Sequence, residues 1–531
     1  MAVVRATPGR RADAVHEVRL AELVAALSLA SDLGVGQPME HVLRGCLLAV
    51  GFARELGLPD AELRDVYDVA LLRRIGCMAD SREASRLFGD ELAARSGILS
   101  HGFTRRPQIM AYAVGRIGAG RPPLERARTL AATAVRLPGV WSEAARAHLE
   151  VAQRLAAGLG FGDSVVTALG QTYAHWDGGG QPRGLAGEGI APAARIVAIA
   201  GDAEIFHRLD GLDAMAGVIR RRAGRWYDPA LTRRFLAAAP ALTAGLEGVT
   251  SWDAVLAAEP SPSRRLSDGD MDAALTALAD FVDLKSPYFS RHSRGVAERA
   301  EAAARQLGLP EADVRLVRRA GLVHDLGRAG VPNSIWEKPG ALTEWEWERV
   351  RLHTYYLERM LARVPSLEAA VRVAGLHHER LDGSGYHRAA AAGDLSLPAR
   401  VLQAADVCQA LGEARPHRPA RTPGEAADEL RREARAGRLD GAAVEAMLSA
   451  GARRPRRRQW PAGLTTREVE VLRLLARGDT NKDIARTLYV SHRTVGHHLQ
   501  HIYRKLGVTT RAGATLFGMQ HDLLAADTDP V

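Results

Sequence analysis

The chain has 531 residues, a formal net charge of +9 and a sequence pI near 9.8, enough length for several domains of roughly 100–200 residues each. Its cysteines, Cys46, Cys77 and Cys408, form no C-x-x-C pair, which excludes a disulfide framework or a zinc ribbon and suits a reducing compartment. No apolar run reaches the ~18 residues that span a bilayer and the start lacks a signal-peptide core, so a cytoplasmic protein without a membrane partner is expected.

The first clear pattern is "HEVRLAELVAALSLASDL" (16–33), with apolar residues at i, i+3 and i+4, and "DAALTALADFVDLKS" (272–286) repeats that spacing. Strand-like alternation is scarce, and an all-α fold is predicted. "LGLPDAELRDVYDVALLRRIG", from Leu56, is echoed by "LGLPEADVRLVRRAGLVHDLG", from Leu307, at an offset of 251 that also pairs His41 with His292. Further on, "WDGGGQPRG" (176–184) matches "LDGSGYHRA" (381–389) at an offset of 205, so the first copy carries 46 extra residues in its middle. The period is far longer than the ~20–50 residues of solenoid repeats. Two copies of one helical module are therefore predicted, at 15–245 and 271–450. A breaker-rich linker (257–270) joins them. A basic, proline-bearing tether (451–462) leads to a small C-terminal unit (463–525).

The second copy concentrates imidazoles and carboxylates: His292, His324, Asp325, His353, His377, His378 and Asp406. Such nitrogen and oxygen donors suit first-row transition metals. Two cations about 3.5–4 Å apart polarise a phosphoryl group and generate a hydroxide nucleophile near neutral pH. The loop "DGSGY" places Gly383 and Gly385 where backbone must turn or approach a ligand, beside Asp382 and Tyr386.

With "RHS" (291–293), "HDLG" (324–327), "LHT" (352–354), "HHERLDGSGY" (377–386) and "AAD" (404–406), residues 268–450 resemble the HD-GYP family of metal-dependent phosphohydrolases, which cleave cyclic di-GMP or related cyclic dinucleotides. The resemblance implies two divalent transition-metal ions, iron or manganese. One would take His292, His324, Asp325 and Asp406. The other would take Asp325, His353, His377 and His378. It also implies catalytic roles for Asp325 and for Arg328, which replaces the family's lysine, and a substrate loop at Asp382, Gly383, Gly385 and Tyr386. His387 replaces the proline of the family's G-Y-P, and Tyr288 stands where three-metal members carry an acid.

The first copy is a degenerate relative. Arg73 and Arg74 replace the His–Asp pair, Thr172 and Tyr173 the paired histidines, and Gly201 the late aspartate. Guanidiniums offer no lone pair to a metal. The arginines either face a phosphate-bearing ligand or are salt-bridged in a copy that only packs against its partner. The packing reading is favoured, because drift after duplication explains arginines without a ligand.

The C-terminal unit, "LTTREVEVLRLLARGDTNKDIARTLYVSHRTVGHHLQHIYRKLGV" (464–508), reads as short helices. Thr465 or Thr466 caps the first and Ser491 the third, with helix-turn-helix grammar at Val490–Ser491. It resembles the DNA-binding domain of the LuxR family. Lys482, Arg493, Thr494, Lys505 and Arg511 are expected at phosphates, and Gly496, His497 and Gln500 near base edges of double-stranded promoter DNA. The helix after "TTRAGA" is expected to supply a homodimer contact. The whole reads as a transcription regulator coupled to a cyclic-dinucleotide phosphodiesterase. The alternative is a non-catalytic, nucleotide-sensing transcription factor whose repeats are ligand switches and dimerisation modules.

Overall fold

The structure, a computed structural model, describes residues 18–119, 121–134, 137–246, 250–450 and 460–524. Most of the predicted basic tether (451–459) lies outside the described residues, as do 15–17 and 525 at the outer edges of the predicted modules. Among the described residues the chain is helical. Its one small sheet pairs Val18–Arg19 with Arg265–Leu266, antiparallel. That pairing fastens the linker between the copies, and Arg64 adds a bond to the Pro262 carbonyl at 3.0 Å. No described helix is long and apolar enough to cross a membrane.

Helix Leu20–Gly34 is buried around most of its circumference, as expected of a helix apolar on all faces. It packs on His41–Glu55 and Asp60–Leu72 of its own copy. It also packs on the turn Leu326–Gly330 and helix Glu344–Leu361 of the other. The second predicted helix starts earlier than its apolar pattern, at Asp268, because Ser267 Oγ accepts the Asp270 N–H at 3.2 Å. Such a cap fixes a helix start through an otherwise orphaned donor.

One continuous apolar core runs through both copies, and a separate core from Leu464 to Leu523 serves the C-terminal unit. Between the copies lies a fully buried ion pair, Lys285 Nζ to Glu91 Oε1 at 3.1 Å. Glu91 also accepts the Asn333 N–H. Helices Glu91–Ser100, Arg106–Arg116 and Pro123–Ala134 occupy the stretch where the extra residues of the first copy fall.

The C-terminal unit docks on the first copy. Arg154 donates to the Leu506 carbonyl at 2.8 Å, and Thr509 donates through N and Oγ1 to Glu150 at 3.0 and 2.8 Å. A Cβ on Gly513 would lie 1.9 Å from Glu150 Oε1, so a larger residue there would push the Glu150 carboxylate aside. Helix Arg511–Gln520, expected as a homodimer contact, instead packs on helix Leu137–Gly158 of its own chain. Leu516 is buried there in the shared core.

Candidate functional site

Five elements of the second copy each deliver part of one cluster. His292 opens helix His292–Gln306 after Arg291, which sits at φ 64°. His324 and Asp325 stand where helix Glu311–Val323 tightens into the turn Leu326–Gly330. His353 lies within helix Glu344–Leu361, His377 and His378 follow helix Glu368–Ala374, and Asp406 sits on helix Leu397–Leu411. The glycine of "HDLG" is a steric requirement, since a Cβ on Gly327 would lie 1.8 Å from the His353 carbonyl oxygen. Without that approach the His–Asp pair and His353 would stand too far apart to share a ligand.

Asp325 is the hinge of the cluster. Its Oδ2 lies 2.9 Å from His324 Nε2 and 3.3 Å from His292 Nε2, while Oδ1 faces His353 and His377 Nε2 at 3.6 and 3.7 Å. Asp406 reaches His292 Nε2 at 3.3 Å and His378 Nδ1 at 3.7 Å. Three sets of donor atoms each fall within 4.8 Å of one another: His292 with His324 and Asp406; His324 with Asp325 and His377; and His353 with His377 and His378.

Hydrogen bonding sets the imidazole tautomers. His324, His353 and His377 each place Nδ1 on the carbonyl three residues back, at 2.8, 2.5 and 2.7 Å. Nδ1 therefore holds the proton and Nε2 offers a lone pair, the orientation that metal-bound histidines adopt. His353 and His377 Nε2 face each other at 3.3 Å with no proton left for either, an arrangement that a cation relieves. Among the described residues, Nε2 of His292 and of His324 and both oxygens of Asp325 are buried without a hydrogen bond, Asp325 Oδ2 having the ion pair to Arg328. Buried groups of this kind are costly unless paired, and the donor set fits a metal centre.

Electrostatics agree at two of the histidines, whereas at His292 the carboxylates of Glu413, Asp325 and Asp406 outweigh burial and draw the imidazole above its ordinary range. Burial, the largest influence, pulls His353 down to about 4 and His377 to about 3, so both are neutral at physiological pH. Burial alone would raise Asp325, but the charge of Arg328, ahead of the imidazoles packed against it, holds it well below the usual carboxylate range. Arg328 Nη2 lies 2.6 Å from Asp325 Oδ2, and its guanidinium rests over Phe289 and Trp336 at 4.3 and 5.4 Å from their ring centroids. Its Nε and Nη1 have no acceptor among the described residues.

Sequence reading missed two carboxylates. Glu413 Oε2 meets His292 Nδ1 at 2.8 Å and is itself paired to Arg415 at 2.8 Å. Glu379, fully buried, accepts the N–H groups of Arg388 and Ala390 at 2.7 and 2.9 Å and so fixes the substrate loop. The wish of a ligand histidine for a carboxylate on its far nitrogen was the available signal for Glu413, but nothing in the spacing selected it. In the loop, Tyr386 lies beside the His378 ring at 4.8 Å and Gly383 takes φ 78°. A Cβ on Gly385 would lie 2.3 Å from Glu379 Cα. Asp382 turns back on its own loop, accepting from Ser384 N and Oγ at 3.0 and 2.6 Å, and does not join the cluster.

In the first copy, His148 stands opposite His353 at the 205 offset, a match the sequence reading overlooked. The Arg73 guanidinium fills the space beside Gly201, where a Cβ would lie 1.2 Å from Nη1. Glycine at the aspartate's position thus makes room for the arginine.

The C-terminal unit forms helices Thr466–Ala476, Asn481–Thr487, His492–Leu506 and Arg511–Gln520. Thr465, of the two candidate caps, closes the first through a reciprocal pair with Glu468, and Ser491 caps the third. Lys482, Arg493, Thr494, His497 and Gln500 are exposed, and Gly496 is half-buried. Two expected phosphate contacts are otherwise engaged. Lys505 pairs with Glu468 at 2.6 Å, and Arg511 donates to the Leu475 and Asp479 carbonyls at 2.9 Å each. Both side chains are held by acceptors of their own domain.

Residues 140–231 and 276–443 match the family described as HD domain, and 462–517 match the luxR family of bacterial regulatory proteins. The 3'3'-cGAMP-specific phosphodiesterase 3 of Vibrio cholerae is 32% identical over 405 residues, covering 76% of this chain and 88% of the relative. A cyclic di-GMP phosphodiesterase of Pseudomonas aeruginosa is 41% identical over 145 residues, 27% of this chain and 35% of that one. A solved structure of a cyclic GMP-AMP-specific phosphodiesterase from V. cholerae superposes with a TM-score of 0.57 at 27% identity, covering 83% of this chain and 99% of that one. The chain therefore belongs to the HD-GYP family of HD-domain phosphohydrolases and carries, in addition, a C-terminal domain of the LuxR family of bacterial regulatory proteins.

Proposed function

We propose that the second copy is a dinuclear-metal phosphodiesterase for cyclic dinucleotides, joined in one chain to a domain that binds promoter DNA. The observation that carries this reading is the inward convergence of the lone-pair Nε2 atoms of His324, His353 and His377 and both Asp325 oxygens in a buried site. His292, His324, Asp325 and Asp406 would hold one ion, and Asp325, His353, His377 and His378 the other, iron or manganese by donor type. Bound ions would supply Lewis acidity and a hydroxide nucleophile.

The chain's own residues do the rest. Glu413 holds His292 in the ligand tautomer. Arg328, braced on Asp325 and two aromatic rings, keeps Nε and Nη1 free for a phosphoryl oxygen. A guanidinium suits that task because its donors are fixed in a plane. Glu379 anchors the loop that carries Tyr386 over His378. Exposed Lys482, Arg493 and Thr494 serve DNA phosphates, and His497 and Gln500 serve base edges.

The test is metal content and hydrolysis of 3'3'-cGAMP and cyclic di-GMP by the full chain, with His324→Ala plus Asp325→Ala as control. Linear product and about two ions per chain, both lost in the double variant, are expected. No product from either substrate in an iron- or manganese-loaded protein would overturn the enzymatic reading. Retention on promoter DNA that weakens with salt tests the other half.

A further inference from the structure

A large cavity lies away from the histidine cluster. It encloses about 1280 Å³ in the first copy, over the place where the metal ligands have been replaced. Arg73, Arg74, His148 and Tyr173 form its floor, and the extra helices of the first copy wall one side. Across from them stands the third helix of the C-terminal unit, through Gly496 and Gln500.

The floor is charged and incompletely paired. Arg74 is 7% exposed, and its Nε has no hydrogen-bond partner. No ion pair joins its guanidinium to any described residue. Arg73 beside it donates to the Val197 carbonyl at 3.1 Å, and no carboxylate among the described residues pairs with it. The acids nearby are bonded elsewhere: Asp80 is shared by Arg95 and His148, Asp32 accepts the Val42 N–H, and Asp202 binds Arg222 and Tyr227, reaching the two arginines only by its longer-range charge. Arg74, buried, and Arg73, half-buried, stand side by side with no carboxylate in contact among the described residues, an unfavourable arrangement, and drift in a merely packing domain has no reason to keep them facing open space. An anion resolves the cost, and arginine's planar donors match phosphate oxygens. Trp141, 37% exposed at the cavity wall, offers an aromatic face of the kind on which bases stack. The volume exceeds the ~300–1,000 Å³ of ordinary small-molecule sites, leaving room for two nucleotides.

We propose that this cavity is a second nucleotide site, which takes a phosphodiester-bearing dinucleotide through Arg73 and Arg74 and touches the DNA-reading helix on its far wall. This replaces the expectation that the first copy only packs. The choice of a dinucleotide rests on the reading of the second copy, whose substrate and linear product share the phosphodiester chemistry. Since Gly496 and Gln500 line the cavity, an occupant contacts the same helix face that would meet base edges, and ligand and DNA affinities become linked.

The experiment uses the full chain treated with EDTA, so that no hydrolysis occurs, and titrates 3'3'-cGAMP, its linear product and inorganic phosphate by calorimetry. Binding of the cyclic or the linear dinucleotide is expected, about tenfold or more weaker in Arg74→Gln, the cost of a charged hydrogen-bond partner. Arg183→Gln, at an exposed rim position, carries no folding risk and is expected to weaken binding a few-fold. In the unvaried chain the dinucleotide that binds shifts DNA affinity, and in Arg74→Gln it does not. Binding insensitive to both substitutions, or binding of phosphate alone, overturns the proposal. Its failure is separable from that of the enzymatic reading, because metal-loaded Arg74→Gln still hydrolyses substrate if the second copy is the enzyme.

Discussion

The two copies keep one scaffold and differ in what they hang on it. A Cβ on Gly76 would lie 1.9 Å from the His148 carbonyl oxygen, as one on Gly327 would lie 1.8 Å from that of His353. Gly180 and Gly385 are likewise pressed against the backbone that follows each paired position. His41 keeps a carboxylate partner on Nδ1, Glu204, where His292 has Glu413. Around this common frame the second copy aims lone pairs inward and the first aims guanidiniums. The architecture thus tolerates inversion of charge at its centre, because close backbone contacts and the apolar core hold it together rather than the metal ligands.

The sharpest way to break the comparison is to separate the copies. Glu91→Ala strands the fully buried Lys285, and removing one partner of such a pair costs about 3–5 kcal/mol. Chemical denaturation should show the whole core loosening as one transition; two transitions would mean that the copies are independent.

Next come the paired glycines. Gly327→Ala and Gly76→Ala both force a methyl against a carbonyl and should each cost roughly 1–3 kcal/mol. Only Gly327→Ala should also reduce hydrolysis and metal content, read on the same preparations. Equal loss of activity from both would show that the first copy shapes the active centre.

Glu413→Gln sharpens the contrast at the histidines. The amide keeps the size but removes the charge that Nδ1 of His292 meets, and metal affinity should fall about 10–100-fold. Competition with a chelator measures it. A folded protein with unchanged affinity would place Glu413 outside the metal's supporting bonds.

The smallest effect concerns His148. Burial alone would lower its pKa, but the charge of Asp80, followed by Tyr173, raises it to about 9. A folded-state pKa above the unfolded value contributes stability that is complete below about pH 6.5 and is lost as pH rises through about 9. His148→Gln should therefore destabilise the chain by on the order of 1–2 kcal/mol near pH 6 and by much less near pH 10. Urea titrations at the two pH values give the difference.

Helices, caps and the seven metal-cluster positions were legible because they are local or strongly spaced. The 3.6-residue period marked Leu20–Gly34, Thr465 and Ser491 stood ahead of their helices, and the His–Asp spacing in the second copy matched a known pattern. Glu413 and Glu379 were not legible, since acids of that kind are scattered over the surface and only folding selects one. The same holds for Arg511, which has the charge for a phosphate but is drawn to two carbonyls of its own domain.

The sequence by itself determined that the chain is helical, that it repeats, that one repeat concentrates histidines and aspartates of a kind that could hold a metal, and that a DNA-binding motif follows. Only the tertiary structure decided that the last helix packs on its own chain, that Glu91 and Lys285 lock the copies together, and that Arg74 faces a cavity without a counter-ion. Periodicity and capping act within a few residues, whereas charge pairing and close approach join residues up to hundreds of positions apart and depend on where every intervening helix has packed.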